Sequence, residues 1–194
     1  MLNKIVLASK SEVRKQILLK HGISCHVEPS NVDEEPVKQS LIKEGATPEI
    51  ISKNLAELKA NKVSLKKKNE IVLGADSVID LEGKIISKPE NREEALEILK
   101  KLNGKHHFLI SSACLSKNGK MIWHYSDKAK LTMKNFEILE LKNYLEKVTD
   151  KALYAYNVYQ IEGVGKDLFL KIEGNENTIM GLPIEKIKEY LKNL

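Results

Sequence analysis

The sequence is short of cysteine, of aromatic residues and of long apolar runs, and each shortage removes a class of protein. Only two cysteines are present, Cys25 and Cys114. They form no CxxC and no metal-ligand spacing, which excludes a disulfide-stapled fold and reads as two buried thiols. Three Phe and one Trp are few for the base-stacking platforms of a nucleic-acid binder. No stretch approaches the roughly 20 apolar residues of a membrane span, and the opening run Met1 to Ala8 is too short for the apolar core of a signal peptide. The expected address is therefore the cytoplasm, with no membrane partner. Repeats, low-complexity tracts and linkers are missing, as are HExxH and GxSxG. Gly163-Val164-Gly165-Lys166 ends like a phosphate-binding P-loop, but it has no upstream glycine and carries Asp167 where Ser or Thr would hold magnesium. His106 and His107 are neighbours in an apparent strand, so they point to opposite faces and do not share a metal.

What is present is an ordinary globular composition: 194 residues, 42% hydrophobic and 30% charged, about one domain's worth of chain. The 32 basic residues exceed the 27 acidic ones by five. That excess falls short of the clustered basic footprint of a nucleic-acid binder, so no nucleic-acid partner is expected, and it suits phosphorylated small molecules equally well. Ile5 to Ala8 reads as a buried strand, and Ser9 to Ser11 leads into a helix with Val13, Ile17 and Leu18 on one face, stopped at His21-Gly22. Ile23 to Glu28 reads as a second strand. Pro29 to Pro36 reads as a loop holding Asp33-Glu34-Glu35. Pro48 opens a helix through Val63. Ile71 to Ile79 is the most buried-looking strand, and Asn91 caps a helix ended by Asn103-Gly104. His106 to Ser116 and Lys120 to Met133 form a hairpin across Asn118-Gly119. A helix around Glu137 to Lys147 and a terminal helix complete an α/β class.

The candidate chemistry lies in polar residues at strand ends, where open α/β sheets place their ligand crevices. Ser9, Ser11 and Arg14 between strand and helix offer two hydroxyls, a guanidinium and backbone N–H groups, a cradle for an anion, although Ser before a helix also serves simply as a cap. Asp76 stands inside an apolar run. An unpaired carboxylate there costs several kcal/mol, so it must meet a cation, a metal or water, and a structural ion pair is as good a reading as a functional one. Lys88 is pinned by Pro89, and Asp33-Glu34 supplies further carboxylates. Two carboxylates with lysines suit a hard cation and a polyphosphate.

Taken together, eight segments in register resemble the Maf family of nucleoside triphosphate pyrophosphatases. They are Leu7 to Ser11 with Arg14, Val32-Asp33-Glu34, Leu55 to Ala60, Gly74-Ala75-Asp76-Ser77, Lys88-Pro89, Tyr159 to Gly165, Ile172-Glu173-Gly174 and Gly181-Leu182-Pro183. The resemblance implies one Maf-like domain over residues 1–194 and a two-lobed α/β fold with a central mixed sheet flanked by helices and a cleft between lobes. The family is often dimeric, which implies a homodimer here. The implied reaction converts a nucleoside triphosphate to the monophosphate and pyrophosphate with a divalent metal, magnesium, manganese or cobalt. By position, Asp76 is then the proton acceptor, Glu34 and Asp76 hold the metal, and Ser9, Ser11, Arg14, Lys59 and Lys88 hold the phosphates, Lys59 and Lys88 as part of the catalytic set.

Three positions depart from the commonest family pattern. Val13 stands where many members of the family have Arg, Ser77 replaces a Thr, and Glu162 replaces a Gln. These are the positions the family uses to separate substrates. An uncharged Val13 with Glu162 resembles the branch acting on 7-methyl-GTP, since a carboxylate accepts from a guanine edge and favours the positively charged methylated ring. That branch commonly has Gln at the position of Ser77, so a dTTP/UTP-type pyrimidine pyrophosphatase stays open beside it. A non-catalytic regulator of cell division, through septum formation, is the alternative in another class.

Overall fold

The computed structural model describes residues 4–150, 152–153 and 157–194; Met1 to Asn3 of the opening run lie outside them. The described strands form a mixed sheet in the order β2-β1-β3-β5-β6-β7, with β4 pairing β3 off that path. They are β1 (Ile5–Leu7), β2 (Cys25–Val27), β3 (Val72–Leu81), β4 (Lys84–Ile86), β5 (His106–Lys117), β6 (Lys120–Met133) and β7 (Phe169–Glu173). β1 runs parallel to β2 and β3, whereas β3/β4 and β6/β7 are antiparallel. Among the described residues no helix is long and apolar enough to cross a membrane.

The chain divides into two compact units. One takes in the chain up to Val78, Ile110–Lys128 and Asn175–Leu194; the other takes in Ile79–Leu109 and Ala129–Gly174. In the first unit, α1 (Glu12–Lys20) begins at Ser11, whose side chain accepts from Arg14 N, and α3 (Pro48–Ser64) begins at Thr47, which accepts from Ile50 N. Each cap satisfies a first-turn donor that has no partner within its own helix. Successive strand residues point to opposite faces, and the core divides accordingly. Ile5, Leu7, Leu73 and Ala75 pack with Ile17 and Leu18 of α1 and with Ile184, Ile187 and Leu191 of the terminal helix α7 (Ile184–Lys192). Val6, Ala8 and Val72 face the other way and pack with Val63 of α3.

One expected loop is a helix. Residues Glu34–Lys43 form α2 with Asp33 as its N-cap, so Glu34 opens a helix instead of lying in a loop. Pro36 is tolerated because it is the third helical residue, and its missing N–H is one of those a first turn leaves unpaired in any case.

In the second unit, Ala95, Ile98, Leu99 and Leu102 bury one face of α4 (Arg92–Leu102) at helical spacing, and Leu141, Tyr144 and Leu145 do the same for α5 (Ile138–Lys147). Arg92 donates to the carbonyls of Leu145 and Val148, satisfying groups at the end of α5 that have no helical donor. Gly163-Val164-Gly165-Lys166 is not a phosphate loop; Val164–Leu168 is a 3-10 helix. A Cβ on Gly165 would stand 2.7 Å from the backbone of Gln160, so the glycine is required by the tight packing of this turn. The helix α6 (Glu176–Ile179) precedes Gly181.

Candidate active site

The site in the first unit is built on β3 and on the helix that lies against it. A Cβ at Gly74 would fall 2.2 Å from the carbonyl oxygen of Ala56 and 2.7 Å from the amide nitrogen of Ala60. Glycine on the strand and two alanines on the helix therefore let α3 approach β3 at backbone distance, closer than any side chain permits. Ser52, Ala56, Lys59, Ala60 and Val63 are all buried and fall on one stripe at helical spacing. This close stripe carries Lys59 to Asp76, which shares the face of Gly74 because it lies two residues along the strand. Lys59 Nζ lies 2.7 Å from Asp76 Oδ1, and Ser52 Oγ donates to the Asp76 backbone oxygen at 3.1 Å. The same ammonium lies 2.9 Å from Glu34 Oε2. Asp76 therefore has the ion pair its burial demanded, and the partner is a lysine within the chain.

Ser77, next in sequence, points to the opposite face and meets Arg14. The Arg14 guanidinium donates through Nε to Gly181 O (2.9 Å), through Nη1 to Ala75 O (2.9 Å) and Ser9 Oγ (3.3 Å), and through Nη2 to Ser77 Oγ (3.1 Å). Four of its five N–H groups are thus committed within the protein. Arg14 is a tie between the Ser9 loop, the Asp76 strand and the Gly181 turn before it is a phosphate ligand. Burial lowers its pKa from the ordinary arginine value, and the charges of Asp76 and Glu34 act in the other direction. Gly181 has φ +99, and a Cβ there would stand 3.2 Å from Ser77 Oγ and 3.4 Å from Arg14 Nε. The glycine answers both a left-handed backbone and a close approach.

Proton directions in this network follow from chemistry. Ser111 Oγ lies 2.7 Å from the Thr178 carbonyl oxygen, which can only accept, so Ser111 is the donor. Ser77 Oγ, 2.8 Å away, must then donate to Ser111 while it accepts from Arg14. The Ser77 proton is committed to this chain and does not point toward a ligand. Thr178 Oγ1 in turn donates to Asp127 Oδ2 at 2.6 Å.

The Ser9 loop is arranged for donation. Ser9 Oγ accepts from Ser11 N (3.2 Å) and from Arg14 Nη1, and Ser11 Oγ accepts from Arg14 N (3.3 Å). With oxygen lone pairs turned to these donors, each hydroxyl keeps its own proton to give to an anion. Val13 is half-buried in the first turn of α1.

Lys88 and Glu162 belong to the second unit. Lys88 is exposed and follows Ser87, whose backbone oxygen accepts from the side chain of Asn157 at 3.4 Å. Glu162 is exposed in a turn between the buried Ile161 and the 3-10 helix. His107 is buried in this unit, with Nε2 2.8 Å from Tyr159 Oη and its ring near Phe169.

The sequence profile of the Maf-like protein family matches residues 4–194. The chain belongs to the Maf family. Among curated relatives it is 71% identical over 192 residues to the nucleoside triphosphate pyrophosphatase of Pelagibacter ubique (strain HTCC1062), covering 99% of this chain and 98% of that protein. It is 39% identical over 181 residues to the 7-methyl-GTP pyrophosphatase of Brucella abortus biovar 1 (strain 9-941), covering 93% and 91%. Among solved structures, the HAM1 protein from Coxiella burnetii aligns over 100% of both chains with a TM-score of 0.51 at 13% identity, which bears on the fold alone.

Four contributors to this Maf-family site were not read from the sequence: Ser52, Ser111, Thr178 and Asp127. Ser52 is two helical turns from Lys59 on the same stripe, and helical spacing could have exposed it. Ser111 sits in an apolar strand as Asp76 does, and the same question of where its polar group finds a partner applies.

Proposed function

We propose that this Maf-family chain is a hydrolase that converts a nucleoside triphosphate to the monophosphate and pyrophosphate, acting as one domain over residues 1–194. The observation that carries this reading is the buried Asp76 carboxylate, fixed by Lys59 at 2.7 Å, on a strand tied through Arg14 to the hydroxyls of the Ser9 loop. The names of the relatives support the reaction class.

In this reading the Asp76 carboxylate, which Lys59 holds through Oδ1 in the free protein, takes a proton from the attacking water. The water oxygen forms a bond to the α-phosphorus, and the bond from that phosphorus to the bridging oxygen breaks, its electron pair leaving with pyrophosphate. Ser9 and Ser11 donate their hydroxyl protons to phosphate oxygens. Lys59 and Lys88 offset charge on the phosphates, and Arg14 holds the first loop and the Asp76 strand in register. Such positioned donors and cations supply most of what phosphoryl chemistry asks of a protein.

The donor set fits a divalent ion. Glu34 and Asp76 converge on one point, since a single ammonium reaches both. Among the described residues no group of three or more His, Cys, Asp or Glu side chains gathers as a metal cage, so the other ligands would be phosphate oxygens and water, as magnesium takes them. When bound, the ion supplies neutralisation of phosphate charge. Magnesium is the first choice, with manganese and cobalt beside it.

The substrate within the class is a modified nucleotide such as 7-methyl-GTP, with Glu162 reading the base edge, and the Brucella relative named for that activity supports it. The reading includes a homodimer working in the cytoplasm without nucleic-acid or membrane partners. The experiment is pyrophosphate release from a panel of canonical, oxidised and methylated nucleoside triphosphates, with magnesium or with chelator. Metal-dependent turnover concentrated on 7-methyl-GTP is the expected result. Turnover on dTTP and UTP would replace that substrate with pyrimidines, and no turnover on any nucleotide would overturn the enzyme in favour of a division regulator.

A further inference from the structure

The position between the two carboxylates already holds a cation. Lys59 Nζ reaches Asp76 Oδ1 at 2.7 Å and Glu34 Oε2 at 2.9 Å, while its side chain is only 8% exposed. It is not a flexible surface amine that drifted onto a carboxylate. The close approach of α3 to Gly74 holds it there, and Ser52 anchors the same helix face to the Asp76 backbone. Glu34 differs: its side chain is 46% exposed at the first turn of α2, so it is the partner that can leave. The Arg14 guanidinium senses both carboxylates electrostatically. One buried ammonium therefore stands against both carboxylates, and the position between them is filled as it stands.

We infer that Lys59 is the internal occupant of the divalent-ion position, so that the free protein resists a bare metal ion and accepts one only when phosphate oxygens draw Lys59 off the carboxylates. A divalent ion entering alone would add two positive charges beside a buried ammonium aimed at the same oxygens. Like charges so placed repel strongly where water screens little. A polyphosphate changes both terms: it brings negative charge, and it gives the Lys59 ammonium a new acceptor. Lys59 is then a positioning residue that orders the encounter, metal and triphosphate together or not at all. This inference rests on the assignment of Glu34 and Asp76 to the ion, but not on which nucleotide is hydrolysed.

The test is metal binding without any nucleotide, by Mn2+ titration followed by electron paramagnetic resonance and calorimetry, so its failure is separate from a failure of turnover. Lys59→Gln and Lys59→Met remove the competing charge and should bind Mn2+ about tenfold or more tightly than the wild-type protein. Lys59→Arg keeps the charge and should stay within about threefold of wild type. Adding Glu34→Gln to Lys59→Gln should return binding to the weak level. Mn2+ affinity that is unchanged or weaker in both neutral variants overturns the inference, as does a gain that survives Glu34→Gln. Circular dichroism and melting temperature check that each variant is folded. If the neutral variants do not fold, crystals of the wild-type protein soaked with Mn2+ and inorganic pyrophosphate decide: an ion between the carboxylates with Lys59 Nζ moved off at least one of them supports it, and an ion there with both ion pairs intact overturns it.

Discussion

Lys59 meets Asp76 at 2.7 Å because Gly74, two residues before the aspartate, lets the backbone of α3 lie directly on β3. The ion pair is thus a consequence of a glycine that touches neither charge. Gly74→Ala would place a methyl 2.2 Å from the Ala56 carbonyl oxygen, a contact with backbone that no rotamer change relieves. The helix must shift, and overpacking of this kind costs about 1–3 kcal/mol or more. At the usual scaling for a chain of this length, each kcal/mol lowers the melting temperature by about 2–4 °C. Urea denaturation should show the loss of stability, and pyrophosphate release should fall with it, because Lys59 moves with the helix. Stability and activity equal to wild type would refute the close packing.

Asp76→Asn tests the base directly. The amide is nearly isosteric and Lys59 keeps Glu34 as a partner, so the fold should persist, with an unchanged circular dichroism spectrum. Loss of a general base costs about a hundredfold to ten-thousandfold in rate. Turnover retained above a few per cent would remove Asp76 from that role.

The hydroxyl chain from Ser77 through Ser111 to the Thr178 carbonyl makes the two serines energetically one unit. Ser111→Ala strands the Ser77 proton and leaves the Thr178 oxygen without its donor. An unpaired buried group of this sort costs about 1–3 kcal/mol. Ser77→Ala breaks the same chain at its other link, so the double variant should lose less than the sum of the two. Residues in one network couple by about 0.5–3 kcal/mol, and chemical denaturation of the four proteins measures it. Strict additivity would mean that the two serines do not share one hydrogen-bonded chain.

The strand around Asp76 was visible because a charged residue inside an apolar run demands a partner. The α1 cap was visible because Ser before an amphipathic segment satisfies first-turn donors. Helix α2 was hidden by Pro36, since a proline near a helix start and a proline in a loop look alike without the backbone. The identity of the Asp76 partner was hidden for a different reason. Lys59 and Asp76 lie 17 residues apart on separate elements, and the packing of Ala56 and Ala60 on Gly74 brings them together. Arg14 shows a role the sequence did not display: beyond suiting an anion, it donates to two backbone oxygens and two serine hydroxyls of the protein itself.

Glu162 is exposed in its turn, and its substitution should be structurally silent, since surface changes usually alter stability by no more than about 0.5 kcal/mol. Glu162→Gln removes the negative charge that, in the proposed reading, favours a methylated, positively charged guanine, while keeping an acceptor oxygen. The ratio of 7-methyl-GTP to pyrimidine triphosphate turnover should fall, with the melting temperature unchanged. A constant ratio would take Glu162 out of the specificity set.

The second unit carries a pH-dependent element in its core. His107 is buried, its Nε2 is taken by Tyr159 Oη, and its Nδ1 has no partner among the described residues. Burial, with a smaller contribution from the neighbouring His106, lowers its pKa from 6.5 to about 4. In the unfolded chain the imidazole binds a proton near pH 6.5, whereas in the folded protein it does so only near pH 4. Between those values the unfolded state holds more protons, so stability falls as pH drops from about 6.5 to about 4 and is level on either side. A displacement of that size corresponds to about 3 kcal/mol across the window. His107→Phe keeps a ring against Tyr159 and Phe169 but cannot take a proton, and it leaves the Tyr159 hydroxyl without its present partner. At pH 7.5 the variant should be less stable than wild type, by about 1–3 kcal/mol for the lost hydrogen bond. Towards pH 4.5 the wild-type protein should lose stability faster than the variant, so their urea midpoints converge. Parallel midpoints across the window would show that His107 is not the group that titrates.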